Sequence, residues 1–203
     1  LFARAITKPE LLYHSVTEIE GRVDADGVEL ASLDGAQANI KLQQLFDTGI
    51  RSVAIVFMHS YKFPKHEKQI GEIAKKIGFT QISLSHEVSP LIKFVSRGDT
   101  AIIDAYLSPL LRRYVEQITN SFDISLDALN LLFMTSSGGL TAADLFQGRD
   151  AILSGPAGGI VGAIKTSALS GADKIISFDM GGTSTDVAHY SGLVEKAFDT
   201  EIA

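Results

Sequence analysis

The residues of this chain best suited to chemistry lie close together near its carboxyl end. Asp179, Gly181, Gly182 and Asp186 flank or form a short polar segment that follows an apolar run of strand length. Glycines leave backbone N–H groups uncovered and give access to positive φ, so several amides can converge on one anion. The carboxylates would repel a bare phosphate. The segment therefore indicates a phosphate that arrives with a divalent cation, most simply Mg²⁺ with a nucleotide.

A β-hairpin is the element that would position this segment. The pattern predicts one strand ending at Phe178 and a second beginning at Val187, with the residues between them forming the tip. We expect Gly181 and Gly182 to present amides to phosphate and the two carboxylates to orient Mg²⁺ or its waters. The tip also supplies three hydroxyl donors, which are Thr183, Ser184 and Thr185.

A helix rich in small residues precedes the hairpin. We predict that Ser154 caps it, that Pro156 occupies its first turn, and that it continues through Leu169. Its start would add a partial positive charge near the anion or pack two lobes together. One flank carries no side chains, which permits close approach of a backbone or a ligand; its glycines include Gly155, Gly158 and Gly159.

This order of elements resembles the second half of the actin, Hsp70 and sugar-kinase ATPase core. The closer resemblance is to the hydantoinase A and 5-oxoprolinase family, through the segments at 154–159 and 179–186. Segments at 53–61, 84–88 and 104–114 also look like family segments in family order. The resemblance covers nearly the whole chain, and its last 50 or so residues are the most specific.

The resemblance implies an α/β fold made of ribonuclease H-like (actin-like ATPase) pieces, with a mixed sheet flanked by helices in an incomplete domain. Residues 1–97 would form the last part of the N-terminal hydantoinase/oxoprolinase domain. Residues 98–203 would begin the hydantoinase A ATPase domain with its second phosphate turn. In the family, the first phosphate turn precedes this segment and the adenosine site follows it. We therefore expect an internal fragment that holds half a cleft and is inactive alone.

The resemblance also implies the activity of the parent protein, an ATP-dependent hydrolase that opens a cyclic amide such as a hydantoin or 5-oxoproline. Phosphorylation of the amide oxygen would activate the ring for attack by water. The implied cofactors are ATP and Mg²⁺, and the implied partner is a second, hydantoinase B-like subunit or domain. Two alternatives stay open, a subunit of an ATP-dependent ketone carboxylase and a non-enzymatic actin-like nucleotide switch.

Composition narrows the class of protein only slightly. The chain has 203 residues, of which 45% are hydrophobic, with no Cys and a net charge of −6. The absence of Cys from this sequence excludes disulfides and thiolate metal sites within it. Neither a basic cluster nor a long apolar run is present, so we expect no nucleic-acid partner, no membrane association and a cytoplasmic location.

The rest of the chain alternates between predicted strands and helices. A β-α-β unit is predicted, with a parallel pair of strands at 52–58 and 80–84 around a helix that Gly78 ends. We predict a long helix at 100–118, broken or kinked by Pro109. Its predicted inward-facing residues are Ile103, Tyr106, Leu107, Leu110, Tyr114 and Ile118. Other predicted elements are strands at 12–19 and 129–134, helices at 33–48 and 141–146, and turns at 24–27 and 135–139.

Three further groups of residues carry polar chemistry. His59, Ser60 and Tyr61 follow a buried strand, and the simpler interpretation is that they are loop and cap residues. The His86–Glu87 pair could exchange protons, although adjacent His and Glu are common. Arg97 could reach an anion, and we expect it instead to form surface ion pairs.

Overall fold

The computed structural model describes residues 10–121, 131–182 and 185–194. The chain divides into two compact units, Leu1–Tyr114 and Val115–Ala203. The boundary predicted at residues 97 and 98 falls within one long helix, and the domain assignment stays a prediction. No helix in the described ranges combines the length and apolar character needed to span a membrane.

The first unit contains two pairs of strands and most of the helices. Strands β1 (Arg22–Val23) and β2 (Glu29–Ala31) pair antiparallel, whereas β3 (Ser52–Ile55) and β4 (Gln81–Leu84) pair parallel. The helices are α1 (Gly35–Asp47), α2 (Lys65–Ile77), α3 (Ser85–Val88) and α4 (Phe94–Asn120).

The predicted β-α-β unit is confirmed. Helix α2 ends at Gly78, whose φ of 112° lies in the left-handed region that glycine tolerates. Helix α1 begins after Asp34, whose carboxylate accepts from the amides of Ala36 and Gln37 at 3.0 Å each. The two helices share an apolar core with the parallel strands, made of Ala38, Leu42, Ile55, Ile70, Ala74 and Phe79.

Helix α4 differs from its prediction in length and in the face that is buried. It begins six residues earlier and continues as one helix past Pro109. Of the six residues predicted to face inward, Tyr106, Leu110 and Tyr114 are exposed, whereas Ile103, Leu107 and Ile118 are partly buried. The buried face instead carries small and polar residues at helical spacing, because α4 lies close to polar positions of β3 and β4; these residues are Ala101, Asp104, Ala105 and Ser108.

Within the described residues, the second unit contains two antiparallel hairpins, two further helices and the end of α4. The first hairpin is β5 (Leu132–Met134) with β6 (Leu140–Ala142), and the second is β7 (Ile175–Met180) with β8 (Thr185–Tyr190). Between them lie a 3₁₀ turn (Ala143–Leu145), α5 (Gly148–Ala151) and α6 (Ser154–Leu169).

Two predicted elements are wrong. Residues 12–19 form no strand, and their apolar side chains are largely exposed because no neighbouring strand pairs with them. The helix predicted at 141–146 is replaced by β6 and the 3₁₀ turn, since residues 140–142 pair with β5. The strand predicted at 129–134 is found at 132–134, and its first two residues lie outside the described residues.

Candidate phosphate and cation site

The β7–β8 hairpin brings the predicted carboxylates together. The two strands pair Asp179 with Asp186 and Met180 with Thr185. Both strands therefore extend further than predicted, so that the carboxylates lie on paired strands and the tip is limited to residues 181–184. The extension follows from the antiparallel ladder, which continues until the glycines interrupt it.

Asp179 and Asp186 project from the same face of the hairpin, because directly paired residues of antiparallel strands share a face. Together with α6 they line a groove of about 320 Å³. Within the described parts of the chain, neither carboxylate has a hydrogen bond or an ion pair. Two like charges opposite each other repel, so this arrangement favours a bound cation.

The described tip residues leave their backbone open. Gly182 has no heavy atom within 4 Å of the place where a Cβ would lie, and Gly181 and Thr185 are exposed. Thr183 and Ser184, which we predicted to donate hydroxyl bonds, lie outside the described residues. Open glycine amides beside two carboxylates could bind a phosphate that carries its own cation.

Helix α6 starts differently from its prediction. Ser154 is the first helical residue rather than the cap. Leu153 holds the N-cap position with a φ of 58°, and its side chain makes no capping hydrogen bond. The left-handed backbone at Leu153 turns the chain sharply into the helix and shifts the cap by one residue.

The three glycines predicted to bind the cofactor have different surroundings. A Cβ at Gly159 would lie 3.1 Å from Asp179 Oδ2, so this glycine is next to the carboxylate pair. A Cβ at Gly158 would lie 3.3 Å from Met134 Cγ, and one at Gly155 would meet nothing within 4 Å. The structure thus brings Gly159 alone of these three into contact with a predicted cation ligand.

The donor set suits a cation that keeps much of its water. No cluster of three or more His, Asp or Glu residues that could hold a metal occurs in ranges 10–121, 131–182 and 185–194. Mg²⁺ commonly uses one or two carboxylates and takes its other ligands from water and substrate phosphates. Asp179 and Asp186 match that requirement.

The polar turn predicted at 135–139 is confirmed between β5 and β6. The amide of Thr135 donates to the carbonyl of Gly139 at 2.8 Å, and Gly138 adopts a φ of 80°. The hydroxyls of Thr135 and Ser137 are 2.9 Å apart, and the amide of Ser136 donates to the carbonyl of Asp150 at 2.8 Å. These donors therefore stabilise the loop itself.

A second polar cluster was missed by sequence reasoning and lies beyond the carboxyl ends of β3 and β4. Its centre is Glu67 on α2, whose side chain is fully buried. The Glu67 carboxylate accepts from the amides of Phe57 (2.9 Å) and His86 (3.0 Å), from Ser85 Oγ (2.5 Å) and from His86 Nδ1 (2.6 Å). Burial raises the pKa of Glu67, but the neighbouring polar groups, including the hydrogen-bond donors Ser85 and His86, outweigh it and lower that pKa below 4.5.

Arg97 belongs to this cluster, and the prediction that it forms surface ion pairs is wrong. Its side chain is fully buried. The guanidinium donates to Ser85 Oγ (2.9 Å), to the carbonyl of Leu91 (2.9 Å) and to the carbonyl of Phe57 (2.6 Å). Burial lowers the pKa of Arg97, and the nearby charge of Glu67 opposes that shift.

The histidine of the predicted His86–Glu87 pair is oriented by a different carboxylate. An ionised carboxylate only accepts hydrogen bonds, so His86 Nδ1 carries the proton in its contact with Glu67. His86 Nε2 is buried and has no hydrogen-bond partner in the described part of the chain; Glu87 Oε1 is 3.7 Å away. Ser60 is buried and donates to the carbonyl of Phe57 at 2.8 Å, which agrees with a structural loop role.

Comparison with known proteins places the chain. The Hydantoinase/oxoprolinase family matches residues 97–203, and the Hydantoinase/oxoprolinase N-terminal region matches residues 1–78. The chain belongs to the hydantoinase/oxoprolinase family. The resemblance seen in its motifs is thereby confirmed.

Named relatives cover this chain almost completely. A 5-oxoprolinase from Dictyostelium discoideum is 41% identical over 100% of this chain and 19% of its own length. The alpha subunit of a caprolactamase from Pseudomonas jessenii is 31% identical over 88% of this chain and 26% of its own length. This chain spans about a fifth of the length of the first 5-oxoprolinases that it matches.

Two solved structures share the fold. The ATP-dependent caprolactamase of Pseudomonas jessenii superposes with a TM-score of 0.74 and 32% identity, over 84% of this chain and 25% of that one. A nucleotide-free acetone carboxylase superposes with a TM-score of 0.73 and 26% identity, over 86% and 25%. The α/β fold of this chain therefore occurs in both enzymes.

Proposed function

We propose that this chain is part of an ATP-dependent hydrolase that opens a cyclic amide, and that it carries one half of the nucleotide site. The observation that carries the proposal is the facing pair Asp179 and Asp186 beside the open glycine tip. The names of the relatives support the reaction class, since 5-oxoprolinase and caprolactamase both denote enzymes that act on a cyclic amide.

Under this proposal, each residue of the hairpin tip and its two flanking carboxylates has a defined role in binding Mg-ATP. Gly181 and Gly182 present amides to phosphate oxygens, and the hydroxyls of residues 183–185 donate further hydrogen bonds. Asp179 and Asp186 hold Mg²⁺ directly or through water. Bound Mg-ATP would supply the phosphoryl group that activates the amide oxygen. The protein residues contribute positioning and charge neutralisation, which are the main requirements of phosphoryl transfer.

Other parts of the proposal concern the parent protein. We propose that the hairpin and α6 belong to an actin-like ATPase core and that the enzyme acts in the cytoplasm. We also propose that a hydantoinase B-like subunit or domain completes it. The caprolactamase relative is a subunit alpha, which supports a second subunit in that enzyme. The divided match of residues 1–78 and 97–203 supports two domains in this chain.

A ketone carboxylase is the second candidate. It is favoured by one observation, the superposition on acetone carboxylase with a TM-score of 0.73. Because both reactions use ATP to activate a carbonyl oxygen, the same hairpin would serve either one. The higher identity to the caprolactamase structure, 32% against 26%, favours the amide hydrolase.

The test is ATP hydrolysis by the full-length parent protein with its partner subunit present. 5-Oxoproline, hydantoin, caprolactam, or acetone with bicarbonate would be added in turn to the native enzyme and to Asp186→Asn. We expect stimulation by a cyclic amide and a fall in kcat of about 100-fold or more in the variant. Asp173→Asn is the matched control, since Asp173 is an exposed carboxylate just before β7.

The possible results separate the candidates. Stimulation by acetone with bicarbonate alone would transfer the assignment to the carboxylase. Nucleotide binding without turnover of any of these compounds would indicate a nucleotide switch. Equal activity in Asp186→Asn and Asp173→Asn would overturn the role given to the hairpin.

A further inference from the structure

Helix α6 lies between the two hairpins of the second unit and contacts each through a different face. On one face, a Cβ at Gly158 would lie 3.3 Å from Met134 on β5, and Val161 lies next to Gly138 of the β5–β6 turn. On the other face, Gly159 lies against Asp179 of β7. Gly158 therefore affects the packing of α6 against β5, whereas Gly159 affects the surroundings of Asp179. The sequence alone does not distinguish these two roles.

We propose that Gly159 is a positioning residue that fixes where the Asp179 carboxylate lies for cation binding. This inference rests on the proposed cation role of the Asp179 and Asp186 pair. Gly159 would touch neither nucleotide nor metal. Its lack of a side chain leaves room for Asp179 Oδ2, which lies 3.1 Å from the position of a Cβ there.

The distance between a Cβ at residue 159 and Asp179 Oδ2 determines how far the carboxylate must move when a side chain is added. A carbon and a carboxylate oxygen at 3.1 Å are closer than ordinary van der Waals contact, so a methyl group at residue 159 requires one of them to move by a few tenths of an ångström. The backbone of α6 is held by its helical hydrogen bonds. The Asp179 carboxylate has no hydrogen bond within the described residues, so the carboxylate is the group that moves.

Cation chemistry makes such a displacement measurable. Mg²⁺ requires near-octahedral geometry at about 2.0–2.1 Å, whereas Ca²⁺ accepts irregular geometry at about 2.3–2.6 Å. A displaced carboxylate therefore weakens Mg²⁺ binding more than Ca²⁺ binding. A change in this preference reports the position of the carboxylate and is not expected from general destabilisation.

Gly162 of α6 supplies a matched control. Apart from its chain neighbours and the backbone of its own helix, a methyl group at Gly162→Ala would have nothing within 4 Å. Gly159→Ala and Gly162→Ala both raise helix propensity by up to about 1 kcal/mol, so a loss of cation affinity at residue 159 alone cannot come from a weaker helix.

The experiment uses the full-length protein with a non-hydrolysable ATP analogue and bound Mn²⁺. Mg²⁺ or Ca²⁺ is added as a competitor, and electron paramagnetic resonance measures how much Mn²⁺ each one displaces. Thermal unfolding is recorded in parallel. We expect Gly159→Ala to weaken Mg²⁺ about 10-fold, within the range known for residues that orient metal ligands, and to weaken Ca²⁺ less. Gly162→Ala should match the native protein in its affinity for both cations.

The results distinguish failure of this inference from failure of the proposed function. An unchanged Mg²⁺ to Ca²⁺ preference in Gly159→Ala, or an equal change in Gly162→Ala, would overturn the positioning role. If Asp179→Asn and Asp186→Asn each bind Mn²⁺ as tightly as the native protein does, the cation site itself would instead be overturned.

Discussion

The two units of this chain place their key carboxylates in opposite environments, one buried and hydrogen-bonded and the other exposed. Glu67 in the first unit is fully buried and accepts four hydrogen bonds from neighbouring groups. Asp179 and Asp186 in the second unit are exposed, face each other and have no partner among the described residues. A buried charge must be paired to be tolerated, whereas an exposed pair of like charges is maintained at some cost in stability.

This difference separates structural charge from candidate functional charge. The Glu67 cluster connects the loop after β3, helix α3 and the start of α4, so its removal should damage the fold of the first unit. The aspartate pair connects nothing within the described residues, so its neutralisation should leave the fold intact and alter binding. Four measurements test this contrast.

Replacing Glu67 should have the largest effect on stability. Glu67→Gln converts two acceptor oxygens into one acceptor and one donor, which leaves buried N–H groups unpaired. We expect the free energy of unfolding of the first unit to fall by about 3–5 kcal/mol. Denaturant-dependent hydrogen exchange of peptides from residues 52–104 measures it, with Glu72→Gln, an exposed change on α2, as the control. Equal protection in both variants would contradict the structural role of Glu67.

Replacing Arg97 should have the next largest effect. Arg97→Met keeps much of the aliphatic length but removes the donors to Ser85, Leu91 and Phe57. The three acceptors and the Glu67 charge lose a buried partner, so we expect a loss of about 2–4 kcal/mol by the same exchange measurement. Arg113→Met, at an exposed position of α4, should change protection by less than about 0.5 kcal/mol.

Acid should remove the contribution of Glu67 gradually. Because the pKa of Glu67 is lower in the folded protein than its usual 4.5, its ionised form stabilises the fold fully above pH 4.5. That contribution is lost as the pH falls below 4.5 through the folded pKa. The difference in unfolding free energy between native protein and Glu67→Gln should therefore be constant near neutral pH and shrink in acid. If this difference in unfolding free energy grew as the pH fell, the lowered pKa of Glu67 in the folded protein would be contradicted.

Neutralising the aspartate pair should have the smallest effect on stability and the opposite sign. In buffer free of divalent cations, Asp186→Asn removes a cross-strand repulsion and should stabilise the hairpin by about 0.5 kcal/mol. Exchange of the β7 and β8 amides measures it. Added Mg²⁺ should increase protection in the native protein and leave the variant unchanged. A strongly destabilised hairpin in the variant would mean that Asp186 has a structural partner.

The sequence predicted the hairpin correctly, because glycine and strand patterns act locally. The cation role of its two carboxylates stays a prediction. The sequence pattern ended the first strand too early and began the second too late, since the Asp179–Asp186 pairing depends on the opposite strand continuing the ladder. The same limitation explains α4, where a face of small and polar residues is buried while Tyr106, Leu110 and Tyr114 are exposed. Helical periodicity identifies an apolar stripe, and it does not show which stripe meets the sheet.

The sequence by itself determined the family, the β-α-β unit and the residues that form the candidate phosphate turn. These depend on residue types and spacing along the chain, which local backbone preferences and motifs record directly. Only the tertiary structure decided that Glu67, His86 and Arg97 form one buried cluster and that Gly159 lies against Asp179. Those contacts join residues far apart in the sequence, and the free energy of pairing a buried charge or accommodating a carboxylate depends on the neighbours that folding supplies.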